Sequence, residues 1–229
     1  MTPAPMLRRY AAWSLDAALL ALLVVILLHR WLCSGLVATD QALVALAAGM
    51  ATAMTDAVAA GLPPLAMLST LLGAPALHAA TGELALALSA LLLPAWAVFA
   101  LLSLPYFAGF EGSRWQATPG KRLLGLRVVD DDASPPGLVR AALRQAGGML
   151  SWLSLNFGHA LAALPPRYQA LHDRIAGTRV VRVDEAPMPF AARLWLAVQL
   201  PACFLLLALL LRHVDRVVNA ALDATLGLM

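Results

Sequence analysis

The chain has 229 residues, of which 61% are hydrophobic and only 13% charged, against about 45–50% apolar and about 25% charged in an ordinary soluble domain. A soluble fold of this length has too little interior to hide so much apolar surface, and a disordered chain would be poor in it, so the sequence reads as an integral membrane protein. The formal net charge of +3 says less than where the charges sit.

Tyr10–Leu28 is the first segment long and apolar enough to span a bilayer, which takes about 20 residues. Arg8 and Arg9 precede it, and cations there orient the N-terminus toward the cytoplasm. Such a start resembles a signal peptide. Asp16 inside the run, and no small-x-small cleavage pattern close to its end, predict that the segment is retained. Gln41–Ala80 is Ala-rich and split by Gly61-Leu62-Pro63-Pro64. It predicts an extracytoplasmic helical hairpin lying on or dipping into the bilayer; two further spans are the alternative and leave everything downstream oriented the same way. Leu84–Phe110 is the second span, in which Pro94 and Pro105 are tolerated where neighbouring helices satisfy freed carbonyls.

Residues 112–185 differ in character. From Gly112 to Arg182, ten cations (Arg114, Lys121, Arg122, Arg127, Arg140, Arg144, Arg167, Arg174, Arg179 and Arg182) face only Asp130, Asp131, Asp132 and Asp173. Nucleic acid attracts such segments, but beside membrane spans the excess marks a cytoplasmic stretch. Ala117-Thr118-Pro119-Gly120-Lys121 is a turn signal. Leu126-Arg127-Val128-Val129 is a short β-prone run, and Thr178–Val183 repeats its Val-Val core, so the two are expected to pair on one side of the membrane. Between them Leu138–Leu164 reads as a helix carrying Arg140 and Arg144 on one face and broken by Gly147-Gly148, Asn156 and Gly158. A straight crossing would carry Arg167, Arg174, Arg179 and Arg182 outside and separate the strands. A broken or re-entrant segment returning to the cytoplasm avoids both, although it leaves Arg212 and Arg216 outside.

Ala191–Leu211 is the third span. After it, Val214, Val217, Val218, Ala221, Leu222 and Leu226 recur at helical spacing opposite Arg216, Asn219 and Asp223, an amphipathic helix along the interface or against the bundle. The expected fold is an all-α membrane protein, a polytopic helical bundle with a short cytoplasmic two-strand β element. Residues 1–185 form one domain, with 41–80 as its insertion, and 186–229 supply the C-terminal helices.

Asp16 lies about 9 Å along the helix from Tyr10, at hydrocarbon depth, where a carboxylate needs a partner, a proton or a cavity. Arg9 falls near the same helical face but about 10.5 Å away along the axis, so Asp16 requires a partner from another helix. Asp173 lies in Leu171-His172-Asp173-Arg174-Ile175-Ala176-Gly177, where Gly177 reads as the residue ending a short helix. A carboxylate in the last turn opposes the helix dipole, so a cation should hold it, with Arg9, Arg140 and Arg144 as candidates. His172 is either a hydrogen-bond donor there or a surface residue.

Arg9-x-x-Ala12-x-x-x-Asp16, Thr118-Pro119-Gly120-Lys121-Arg122-Leu123-Leu124-Gly125-Leu126-Arg127-Val128-Val129, Arg140-x-x-x-Arg144 and Gln169-Ala170-Leu171-His172-Asp173-x-x-x-Gly177-Thr178-x-Val180-Val181 together resemble the RDD family of membrane proteins, named for one arginine and two aspartates. The resemblance covers about residues 8–183 in order and assigns the arginine to Arg9, the first aspartate to Asp16 and the second to Asp173. The Ala-rich 41–80 insertion and the helices after 190 depart from it. Family members are often described as transporters, some are similar to cation/proton antiporters, and most have no established ligand.

An intramembrane carboxylate set with arginine partners fits a proton or small-cation relay, with Asp16 titrating and Arg9 modulating it. The same set fits a structural ion-pair clamp in a non-transporting scaffold, and the basic face at Arg122 and Arg127 fits binding to anionic lipid. No enzyme pattern is present. Lys121, the only lysine, follows Gly120, but a phosphate loop requires glycine where Trp115 stands and Ser or Thr where Arg122 stands. Cys33 and Cys203 stand alone, without ligand or disulfide spacing. The expected partners are the lipid bilayer, protons or small cations, and a second copy or other membrane proteins in an inner membrane. No cofactor, metal or nucleic acid is expected.

Overall fold

The computed structural model describes residues 2–153, 157–165 and 168–227; Asn156 and Arg167 lie outside the described residues. In chain order the elements are α1 (Met6–Ala59), α2 (Pro64–Gly73), α3 (Pro75–Gly112), α4 (Pro119–Leu123), β1 (Leu126–Asp130), α5 (Gly137–Leu153), α6 (Phe157–Ala160) continued by a 3-10 turn (Leu161–Ala163), α7 (Leu171–Ile175), β2 (Thr178–Arg182) and α8 (Phe190–Leu226). Helices α1, α3 and α8 are long and apolar enough to cross a membrane. Each contributes to two compact units, Met1–Val24 with Ala97–Leu200, and Val25–Trp96 with Pro201–Met229.

In the first unit the expected strands pair antiparallel, with Val128 opposite Val180 and Val129 opposite Arg179. The N-terminal residues extend this sheet: the Arg182 N–H donates to the Thr2 carbonyl at 3.0 Å, and the Ala4 N–H donates to the Val180 carbonyl at 3.1 Å. Alternation along β1 turns Leu126 and Val128 inward while Arg127 faces out. Leu126, Val128 and Val180 pack with Ala4 of the N-terminal segment, Ala11 and Ala12 in the first turns of α1, Leu124, and Ala192 at the start of α8. The small residues on α1 are what let the sheet and its preceding turn come this close.

The segment between the strands folds back on itself. A methyl group at Gly112 would fall 2.8 Å from the Cα of Leu138, and the Gln145 amide donates to the Ser103 hydroxyl at 3.4 Å. These contacts run in opposite chain order, so α5 runs back beside the last turns of α3, about 13 Å into that apolar helix. Gly147 then meets His172, and Gly158 meets Ser151 and Leu171. This returning path brings β1 and β2 into one sheet. Gly147-Gly148 does not break the helix as expected. α5 continues through both to Leu153, and the missing side chain at Gly147 serves the approach of α7.

The second unit differs from expectation in where its helices end. With no proline between Pro5 and Pro63, α1 runs unbroken for 54 residues, about 81 Å. The Ala-rich hairpin is therefore a prolongation of α1, joined through Gly61 (φ +65°) and α2 to α3. α1 and α3 pack where the Trp31 indole donates to the Ala90 carbonyl at 3.2 Å and where Gly35 faces Leu91, and within the hairpin Gly49 faces Leu77. The amphipathic segment after Leu211 is likewise not a separate interfacial helix. It continues α8, with Val214, Val217, Val218, Ala221 and Leu222 on its more buried face and His213 beside Asp40 at 2.9 Å.

Candidate functional site

The site lies within the first unit and is built around three buried carboxylates. Asp16, 1% exposed, projects from α1 toward the Thr118–Lys121 turn. Thr118 caps α4, with its hydroxyl accepting from the Lys121 N–H, and Pro119 occupies the first helical position, where its missing N–H costs nothing. The Thr118 hydroxyl donates to Asp16 Oδ2, the Gly120 N–H donates to Oδ1 at 2.8 Å, and the Tyr106 hydroxyl of α3 donates to Oδ1 at 2.8 Å. Gly120 is the residue that permits this: a methyl group there would sit 2.3 Å from the Ala12 carbonyl oxygen and 2.9 Å from the Asp16 carboxylate.

Asp173, fully buried, accepts from Arg9 at one oxygen and from Arg144 at the other. It also accepts the Ala170 N–H at 3.0 Å. The expectation that Asp173 opposes its helix dipole is corrected here. α7 begins at Leu171, so Asp173 sits in the first turn, where a carboxylate is favourable and caps a free N–H. Gly177 ends the helix at φ +59° as expected.

Glu111, the third carboxylate, accepts from Lys121 and from the Nε of Arg144 at 2.9 Å. It lies one residue beyond the second span as read from sequence. The available signal was an acid closing an apolar run ten residues before the only lysine. Burial pushes the Lys121 ammonium below its ordinary value, and the Glu111 charge opposes that shift. Arg144 is lowered by the same cause and is likewise held by Glu111. Lys121, Arg144 and Arg9 face Glu111, Asp173 and Asp16, so the six charges cancel.

Two expectations need correction. Asp16 has neutral donors rather than a guanidinium partner, because the turn fills its coordination with a hydroxyl and an N–H; the nearest link to the cations is Lys121, whose charged form the Asp16 carboxylate favours. Arg140 does not join Asp173. Lying one turn earlier on α5, it is half exposed and pairs with Asp130 at the end of β1, at 2.9 Å.

Against this geometry, the sequence model of the RDD family matches residues 3–177. The chain belongs to the RDD family. The match contains Arg9, Asp16, Glu111, the 118–121 turn, Arg144 and Asp173, and it stops before β2 and α8. The chain is also similar to the "Uncharacterized protein YxaI" of Bacillus subtilis (strain 168), 30% identical over 89 residues, or 39% of this chain. The aligned segment spans 58% of that protein's length. No solved structure matches the chain. As a member of a membrane-protein family with three span-length apolar helices, the chain is a membrane protein.

His172 completes this cluster. It is buried, its Nε2 lies 3.5 Å from Asp173 Oδ1, and its ring is 5.0 Å from that of His159. Among the described residues, neither Nδ1 has a hydrogen-bond partner. Burial, then the Arg144 charge, push His172 well below the ordinary imidazole value, and His159 shifts the same way for the same causes. An imidazole depressed in the native state takes up its proton first in the unfolded state. Stability is therefore expected to fall as pH drops below about 6.5, with a slope approaching 1.4 kcal/mol per pH unit for one histidine. Melting curves of the detergent-solubilised protein between pH 8 and pH 5 check this, and His172→Gln should flatten the profile.

Proposed function

We propose that this RDD protein is a membrane scaffold in which the buried charge network clamps the 113–185 segment to α1 and α3, holding it as a platform for other membrane proteins or a second copy of the chain. The supporting observation is that Arg144 of α5 bridges Glu111 of α3 and Asp173 of α7 while Arg9 of α1 takes the other oxygen of Asp173. One chain of charges ties four elements together, and each carboxylate oxygen of Glu111 and Asp173 faces a cationic donor. The 113–185 segment and the N-terminus face the cytoplasm of an inner membrane in this reading, following the positive charges. No enzymatic step and no nucleic acid belong to it.

A second reading is transport of protons or small cations, with Asp16 as the titrating group and Arg9 its modulator. It draws support from His159 and His172, whose Nδ1 atoms lie beside the network without a hydrogen-bond partner among the described residues, imidazole being a group able to accept and pass on a proton. Flux measured on the purified chain in liposomes, under an imposed proton or sodium gradient, separates the two. The scaffold reading expects no flux above protein-free vesicles. Flux that Asp16→Asn abolishes while the protein remains folded would establish transport instead.

A further inference from the structure

Beyond the buried network, the end of α3 carries a second feature that neither reading uses. Trp115, three residues past Gly112, is stacked on Phe110 with ring centroids 5.5 Å apart, and the Arg122 guanidinium lies 4.5 Å from its centroid. Leu123 beside it is 71% exposed. Arg114 and Arg122 are both exposed, and among the described residues neither has a carboxylate within ion-pair distance. Every other arginine and lysine between residues 112 and 145, Arg127 apart, is paired with an acid. Arg122 thus lies over an aromatic ring, and among the described residues its guanidinium has no hydrogen-bond or ion-pair partner.

The depth of this feature follows from α5. Its outer face at Leu138, Val139 and Leu143 is exposed and apolar, and it lies beside the last turns of α3. Such a face is stable in hydrocarbon rather than in water, so the apolar boundary reaches about the level of Gly112. That places Trp115 at the headgroup level, where tryptophan is enriched for its apolar body and polar tip. A guanidinium positioned over a ring is restricted in advance, and its planar fork matches a phosphate with two parallel hydrogen bonds.

We propose that Trp115, Arg122 and Leu123 form a binding site for an anionic phospholipid, with the phosphate on Arg122, Arg114 contributing long-range attraction, and an acyl chain over Leu123. The site lies outside the buried network and does not depend on which function that network serves. It gives the cytoplasmic segment a second attachment to the bilayer, through lipid rather than through protein.

The test uses the full chain reconstituted in phosphatidylcholine vesicles containing brominated lipid. The fluorescence difference between the wild type and Trp115→Phe isolates the Trp115 signal. Brominated phosphatidylglycerol should quench it more strongly than brominated phosphatidylcholine at equal mole fraction. Arg122→Gln should reduce that preference about fivefold, the factor for one surface cation against an anionic headgroup. Arg122 is exposed, so the variant should fold; if it does not, the wild-type preference must still decline as salt is raised. Equal quenching by the two lipids, or a preference that Arg122→Gln or salt leaves unchanged, overturns the proposal. Release of phosphatidylglycerol by millimolar inorganic phosphate would show a site for free phosphate and overturn the lipid assignment.

Discussion

Replacing Asp173 by Asn is expected to remove about 3–5 kcal/mol of folding stability, the range for breaking a buried pair by deleting one partner. Asp173 is fully buried and receives two guanidiniums and a backbone N–H. An asparagine keeps one acceptor oxygen and turns an amide NH2 toward a cation. Arg144 retains Glu111, but Arg9 is left with only the Tyr168 carbonyl at 2.9 Å, which does not neutralise it. Unfolding in detergent, by heat or by titration with SDS, measures the loss. A double-mutant cycle with Arg9→Gln should give a coupling above about 1.5 kcal/mol, since the two side chains share one network. Arg140→Ala is the matched comparison: its pair with Asp130 is half exposed and should cost no more than about 1 kcal/mol. If the two substitutions cost the same, the network is not a clamp.

Gly120→Ala is the second large effect, and it arises from space rather than charge. The new methyl group would stand 2.3 Å from the Ala12 carbonyl oxygen, which is helix backbone and cannot swing aside. Relief requires moving the turn off α1, which withdraws the Thr118 hydroxyl and the Gly120 N–H from Asp16 together. Overpacking alone costs about 1–3 kcal/mol, and a buried carboxylate left short of donors adds about 1–3 kcal/mol more. The protein should then lose folded yield in membranes or melt far below the wild type. Gly109→Ala is the control, because nothing lies within 4 Å of a methyl group there and alanine in a helix should be neutral or stabilising. Equal behaviour of the two variants would show that the close approach at Ala12 is unimportant.

These two substitutions probe different ends of one arrangement. The 118–121 turn delivers Thr118 and Gly120 to Asp16 and Lys121 to Glu111, so it joins the carboxylate on α1 to the ion pairs on α3, α5 and α7. Asp16 and Asp173 are therefore linked through the turn, Glu111 and Arg144, and share no arginine between them. Arg9 reaches Asp173 across the chain while Asp16, on its own helix, looks to neutral donors.

Much of the fold is legible in the sequence. The three apolar runs announced three long helices, because membrane spanning depends on length and composition within a single segment. The Val-Val runs announced a strand pair, because β propensity and a shared pattern are also local, and the pairing in turn required the 138–164 segment to return. Arg9, Asp16 and Asp173 stood out because a charge inside or beside an apolar run is costly wherever the chain goes. Tertiary structure alone decided which charge met which. Arg140 and Arg144 are one turn apart with the same chemistry, yet one is half exposed on Asp130 and the other is buried between Glu111 and Asp173. Glu111, Tyr106 and Thr118 became part of the site only when α3 and the 118–121 turn closed on α1. Sequence sets the energetic demand of each buried charge, but satisfying it takes atoms from distant segments brought within about 3 Å, and that proximity is a property of packing.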